Sequence, residues 1–548
     1  MKSMMKILAV ICLFASTGAN AAFNLTDVPS SVSIEGEGFT NFLSHAEGKW
    51  SSKTSSVVFA PDANAGVRIL VSSPGAALTG VRVEWKASFA HEALMLSDDW
   101  CGLGWKRIGK ARSSAWYFMI AGRYGADGYG VKVRPNSLVH WTVSPSSVVL
   151  YLDVSAGGAG VHLSGRTLEA CTLVSRLGRK GESAFASGQA FCRQMCTDPR
   201  LPKEPVFGYN DWYCAYGANT ATNFLADAAY VVSVTRGLSV KPFVVMDDGW
   251  QPMSPPAVQK KTGKFDSGWG PWFAASSQFG MEMGEFASKI AALGAKPGLW
   301  YRPMRAWDDA PKAWKVEGHP ESFDPTVPEV MAEIASDMKR FREWGFKLVK
   351  IDFLVYDFNG QFLFPGKIGE SVFSQKRLWR DRSRTSAERM LELYKTLREG
   401  AGDDMIIIGC GAFGHLAAGL FEVNRIGFDT SGKNWRQTAE NGPHSLAMRS
   451  IQHGTFYCID ADCVGLASAG AIAWEKNSQW LDLLSRSHTA CFLSWSRALA
   501  TPEIRAAFAA AFSASANGGD VAEPLDWFKE RSPRNWRFSN GEVANYNW

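Results

Sequence analysis

The chain has 548 residues, of which 46% are hydrophobic and 20% charged, and a formal net charge of +5. That length allows more than one domain and a large buried core. So small a positive excess, spread along the whole chain, excludes the concentrated basic surface of a nucleic-acid binder. Twenty-two tryptophans stand out. Some will serve as core, but flat indoles are also natural platforms for the apolar C–H faces of sugars.

The first 21 residues have the layout of a secretory leader. Lys2 and Lys6 form a basic start, Ile7 to Ala15 an apolar middle, and Ala19-Asn20-Ala21 a small-residue cleavage site. The apolar stretch is too short to span a bilayer, and no later run is long enough, so an exported protein without a membrane span is expected. Ile11 before Cys12 is too large for a lipoprotein site. Nine of the ten cysteines lie beyond the leader, an odd number. Cys192 with Cys196, and Cys458 with Cys463, are close enough in sequence to suggest bridges in an oxidising compartment. No paired CxxC or HExxH pattern is present, so neither a metal nor another cofactor is expected.

Residues 22–200 read as an antiparallel β-sandwich. Segments such as SVSIEG, GVRIL, GVRVEW and SSVVLYLDV alternate in polarity and are separated by Gly, Ser and Pro turns. From 201 to 497 the rhythm changes to short apolar strands alternating with helical stretches. Strands are expected at 205–210, 242–247, 297–302, 347–353, 405–409, 423–428, 455–460 and 491–495. Helices are expected near 221–236, 282–293, 328–344, 385–399, 444–453 and 479–488, with a short turn after the fifth strand. Eight such alternations predict a (β/α)8 barrel. The glycine signature often carried by an open doubly wound sheet is missing. Residues 498–548 read as a polar helix followed by a short β segment.

Barrel chemistry gathers at the C-terminal ends of the strands. Those ends carry Trp212, then Asp247-Asp248-Gly249-Trp250, then Trp300-Tyr301-Arg302. Asp352 ends the fourth, Cys410-Gly411 follows the fifth, Asp429 the sixth, and Asp460 and Asp462 the seventh. Residues two apart share a strand face, so Lys350 and Asp352 point the same way. An ammonium in so apolar a strand needs a partner, and beside Asp352 it would keep that carboxylate ionised and nucleophilic. A purely structural Lys–Asp pair would read identically. Arg425 and Asp429 match in parity if the sixth strand runs that far. Two carboxylates across a sugar-sized pocket are the requirement of glycoside hydrolysis.

The set DDGWQ, GLWY, KIDF, the Cys-Gly pair, RIGFDTS and DADCVGL, in this order, resembles glycoside hydrolase family 36. That family groups α-galactosidases and α-N-acetylgalactosaminidases and shares a clan with family 27. The resemblance covers about Tyr209 to Leu466. It implies a retaining mechanism with Asp352 as nucleophile and Asp429 as acid/base. It further implies that Asp247 and Asp248 hold O4 and O6 of a galactose-type ring, walled by Trp212 and Trp300. Lys350 would bond ring hydroxyls, Arg425 and Asp462 would lie near O2, and Cys410, Gly411 and Tyr301 would complete the binding set. Arg302-Pro303-Met304 depart from the acidic continuation of many members, and the small loop Cys410–Gly414 replaces a bulky acid found in some. The expected activity is release of terminal α-linked galactose from oligosaccharides or glycans. The alternatives are an α-N-acetylgalactosaminidase, a galactosyl-transferring relative, or a sugar-binding protein that has lost the chemistry.

Overall fold

In a computed structural model the described residues are 23–62, 66–98, 104–252, 270–362, 373–430, 432–466 and 472–548. The leader 1–21 lies outside them. Fourteen antiparallel strands between Ser31 and Arg176 form one hydrogen-bonded sheet that bends back to pack on itself. Phe59 and Trp85 sit on strands far apart along that ladder, yet their rings meet at 6.4 Å. The result is a sandwich whose two layers share a continuous edge. The corner is the long strand Arg112–Ala121. Its first part pairs with Leu138–Val143 and its second with Ala126–Val131. Between them Trp116 takes φ +47, the local kink by which a strand changes sheets.

The helix Ala184–Met195 packs on the strand Ala126–Val131 and against the turn Ser450–Gln452, tying the sandwich to the barrel. Polar bonds cross the same seam. Arg449 Nε donates to Asp98 Oδ1 at 3.1 Å, and Gln452 Nε2 donates to the Tyr117 hydroxyl at 2.8 Å.

Eight parallel strands close that barrel: Phe207–Asn210, Phe243–Met246, Lys296–Tyr301, Leu348–Ile351, Ile406–Gly409, Val423–Arg425, Cys458–Leu466 and Ala490–Trp495. Closure is direct, with Phe207 opposite Cys491. Strand alternation divides their side chains into two apolar sets. Phe243, Val245, Leu348, Ile408, Val423, Cys458 and Phe492 fill the interior. Val244, Met246, Val349, Ile351 and Ile407 face the helices. The helices start where their sequences provide caps. Thr385 and Glu388 form a reciprocal capping box for Ser386–Ala401, and Pro328 opens Pro328–Glu343.

Two strands end differently from expectation. The sixth stops at Arg425, so Asp429 hangs in the following loop rather than on strand parity. The seventh runs on from Cys458 through both acids to Leu466, with Asp460 bonded to the Asp462 N–H and Asp462 to buried Tyr213, Thr430 and Arg425. The helix Pro502–Asn517 packs on Ala221–Val234 and on the first strand, where Phe512 meets Phe207 at 5.6 Å. It thereby closes the ring of helices, and a small three-stranded sheet lies beyond it in the chain.

The suggested cysteine bridges are absent. Cys192, Cys196, Cys458 and Cys463 all carry free thiols. Cys458 and Cys463 lie on one extended strand, five residues and roughly 15 Å apart, too far to bridge. Cys192 turns into the domain seam beside Thr455. Among the described residues no helix is long and apolar enough to cross a membrane.

Candidate active site

A cavity of about 660 Å³ opens at the C-terminal ends of the barrel strands. Trp212, Asp247, Asp248, Trp300, Lys350, Asp352, Cys410, Gly411, Arg425 and Asp429 all line it. Inward parity explains most of these positions. Val245 leads to Asp247, Leu348 to Lys350 and then Asp352, Ile408 to Cys410, and Val423 to Arg425.

Asp247 is held by three donors. Its Oδ2 accepts from Lys350 Nζ at 2.8 Å and from Asn210 Nδ2 at 2.7 Å. Its Oδ1 accepts the backbone N–H of Asp248 at 2.9 Å, and Gln251 Nε2 donates to Asp248 Oδ1. The lysine therefore pairs with the second strand's acid, not with Asp352 as its position two residues away suggests. Burial works against the Lys350 ammonium, yet its neighbours, Asp247 above all, hold its pKa well above the ordinary value.

Asp352 is oriented by two other donors. Trp300 Nε1 donates to its Oδ2 at 3.1 Å and the Phe353 N–H to its Oδ1 at 2.7 Å. The second bond depends on Phe353 adopting φ +58, an uncommon conformation for a bulky residue. Arg302 stabilises it from behind, its guanidinium 4.1 Å from the Phe353 ring centre and bidentate to Asp357 at 2.7 and 2.6 Å. Gly411 has φ +62, and a Cβ there would stand 3.2 Å from the Phe353 nitrogen and 3.4 Å from Asp352 Oδ1. Only glycine fits that approach without strain.

On the facing side Arg425 Nη2 lies 3.0 Å from Asp429 Oδ1 and 2.7 Å from Asp462 Oδ2. Asp429 keeps 56% of its side-chain surface open toward the mouth. Its backbone carbonyl accepts from Asn441 Nδ2 at 2.8 Å and Gln437 Nε2 at 3.2 Å. The surrounding protein, Asp462 and Asp352 raise its carboxyl pKa, outweighing the pull of Arg425 and Lys350. Asp462 behaves oppositely. Burial disfavours its charge, but Arg425 and the Tyr213 hydroxyl bring its pKa below the ordinary range. The two acids beside one arginine are thus driven apart, one toward proton donor and one toward fixed anion.

Two residues expected in the binding set stand elsewhere. Tyr301 points away from the cavity, because it alternates with the inward Trp300. Its hydroxyl donates to Asp337 Oδ2 at 2.9 Å, and its ring packs on Phe341 and Trp272. Asp462 lies behind the cavity wall on a β-bulge, at φ +73. Thr430 N donates to it at 2.7 Å and Thr430 Oγ1 at 3.0 Å, and these bonds hold the strained backbone in place.

Other lining residues escaped sequence reasoning. Phe353, Phe362, Phe428, Gln437 and Asn441 face the cavity from loops and from the helix Trp435–Asn441, where no strand parity marks them. Asn210 was readable as the inward residue ending the first strand.

The fold and site define a class: a (β/α)8 barrel behind an antiparallel sandwich, with an acid-lined pocket at its C-terminal mouth. No protein-family profile matches the chain. The same architecture occurs in solved α-galactosidases. One from Thermus thermophilus, in complex with p-nitrophenyl α-D-galactopyranoside, aligns at TM-score 0.59 and 17% identity, covering 95% of this chain and 99% of that one. A family-36 variant from Geobacillus stearothermophilus, in complex with raffinose, aligns at 0.60 and 12% identity, covering 94% and 80%. An enzyme from Lactobacillus brevis aligns at 0.55 and 12% identity, covering 91% and 74%. At such identities the likeness is one of fold.

Proposed function

We propose that the protein is an exo-acting, retaining glycoside hydrolase that releases terminal α-linked galactose from oligosaccharides or glycans. The observation that carries this reading is the convergence of Asp352 and Asp429 on one cavity that also holds Asp247, Asp248 and Lys350. In the first step an Asp352 carboxylate oxygen bonds to C1 while the C1–O bond to the aglycone breaks. Asp429, protonated, gives its proton to the departing oxygen. In the second step Asp429 takes a proton from water, the water oxygen bonds to C1, and Asp352 is released. Asp247, Asp248 and Lys350 bind the ring hydroxyls, with Trp212 and Trp300 as apolar walls. A site built around bonds to particular hydroxyls rejects sugars that point them elsewhere. The solved raffinose and nitrophenyl galactoside complexes of proteins with this fold agree with the substrate class.

A second reading, an α-N-acetylgalactosaminidase, draws on one feature: Cys410 and Gly411 leave the wall beside Asp352 without a bulky side chain. Matched assays on the two nitrophenyl α-glycosides separate the readings. Azide rescue tests the roles. With an activated α-galactoside, Asp352→Gly should yield β-galactosyl azide, because azide attacks the face the carboxylate vacated. Asp429→Gly should yield α-galactosyl azide from the covalent intermediate. Absence of hydrolysis on every α-glycoside despite tight sugar binding would instead favour a binding protein. The leader supports export, and a mature N-terminus at Ala22 is the expected result of sequencing the protein outside the cytoplasm.

A further inference from the structure

The acids that end the second strand rest on a buttress that never touches the cavity. The backbone N–H of Asp247 donates to Asp211 Oδ1 at 2.8 Å. Asn219 Nδ2 donates to Asp211 Oδ2 at 3.2 Å and lies 3.3 and 3.1 Å from the carbonyl oxygens of Asp247 and Asp248. Gly249, at φ +121, completes the contact. A Cβ there would stand 2.5 Å from the Gly217 oxygen and 2.6 Å from Asn219 Oδ1. The turn Asp247-Asp248-Gly249 is therefore seated against residues 217–219. Asp211 and Asn219 are both buried. They border a separate cavity of about 470 Å³ on the far side of the helix Trp212–Ala215.

We propose that Asp211 and Asn219 are positioning residues, holding Asp247 and Asp248 where they bind the sugar ring, with Asp211 the pH-sensitive member. The proposal rests on the reading of Asp247 and Asp248 as ring-binding groups. Asp247 already has Lys350 and Asn210 as partners. A second anion against it would be repelled, whereas a neutral carboxyl still offers its carbonyl oxygen to the Asp247 amide. Burial, with Asp247 next, pushes the Asp211 carboxyl up to about 8, so it is neutral over the ordinary working range. The titratable groups around it are Asp247 from the second strand, Asp227 from Ala221–Val234, Tyr209 from the first strand and Cys214 from Trp212–Ala215. The nearby Arg497 is engaged by Asp227 at 2.5 Å. Among the described residues no cation bonds to the Asp211 carboxyl directly.

Steady-state kinetics of the full-length protein on nitrophenyl α-galactoside and α-glucoside, with inhibition by D-galactose, test this across pH. Asn219→Ala and Asp211→Ala should raise KM and the galactose inhibition constant about tenfold while kcat changes far less. Their preference for galactoside over glucoside should narrow. Asp211→Asn keeps the carbonyl acceptor and should stay near wild-type KM around neutrality. It should also abolish the rise in KM expected of the wild type above about pH 8. Unchanged KM, inhibition and epimer preference in the Ala variants, whatever their melting temperatures, would overturn the positioning role. An alkaline rise that persists in Asp211→Asn would overturn the pH role. If Asp211→Ala does not fold, Asn219→Ala and Asp211→Asn decide the matter. A wild type that neither cleaves nor binds galactosides overturns the functional reading and this proposal together, an outcome distinct from an active wild type with indifferent variants.

Discussion

The two ends of the barrel make a useful contrast. The N-terminal end has the larger cavity, about 800 Å³ against about 660 Å³. It is also crowded with charge: Arg200, Lys203, Lys241, Lys296 and Lys347 face Glu204, Asp403, Asp404 and Glu422. Those charges largely cancel in pairs. Arg200 reaches Glu422 at 2.5 Å and Asp403 at 2.9 Å, Arg398 reaches Glu422 at 2.8 Å, and Lys296 reaches Glu204. At the C-terminal end the lining acids Asp247, Asp248, Asp352 and Asp429 outnumber the lining cations Lys350 and Arg425, so the pocket keeps an excess of negative charge. Cavity size does not separate the two ends. Partial neutralisation of the lining acids does, because carboxylates gathered in one pocket repel one another unless a ligand or a reaction uses them.

The contrast can be broken most severely at the upper end. Asp352→Asn or Asp429→Asn should each lower kcat on an α-galactoside by several orders of magnitude with the melting temperature nearly unchanged. Near-normal turnover in either would sink the assignment. Lys350→Met comes next. It strands the buried Asp247 carboxylate, so a loss of stability of about 3–5 kcal/mol in urea unfolding is expected, together with a raised KM. Asp462→Asn is subtler. Removing that anion lowers the Asp429 pKa and frees Arg425 to lower it further, so the alkaline limb of the kcat/KM profile should move to lower pH.

A still smaller effect belongs to stability. Asp211 has its folded pKa raised, so the folded state binds more protons than the unfolded chain between the ordinary aspartate value near 4 and about 8. Stability contributed by this site should fall as pH rises through that window, and Asp211→Asn should flatten the slope of melting temperature against pH. At the lower end Lys203→Ala and Lys347→Ala should change neither kcat/KM nor, beyond about 0.5 kcal/mol, stability. A large loss of activity there would erase the distinction between the two ends.

Much of the barrel was legible because its strands are short apolar runs with inward and outward sets fixed by a period of two. VVMDD, KLVKID and MIIIGC each project their polar end from an interior face, and the parity that buries Val245 also aims Asp247. The same rule misled where strands do not end at their first polar residue. DADCVGL continues as strand because Asp462 is bonded to Tyr213, Thr430 and Arg425, partners far away in the chain. Likewise Lys350 pairs across the barrel with Asp247, although Asp352 is its neighbour in sequence.

Local periodicity and composition by themselves determined the alternation of elements, and with it the expectation of a barrel and of the acids at its strand ends, since that alternation depends on interactions within a few residues; the closure itself joins Phe207 to Cys491. Only the tertiary structure decided that Tyr301 faces Asp337, that Asp462 stands behind the wall, that Cys192, Cys196, Cys458 and Cys463 remain free, and that Asp211 and Asn219 bond to the backbone of the acid pair. Those outcomes depend on contacts between residues tens to hundreds of positions apart, and pairwise distance across a folded core is a quantity that no local pattern encodes.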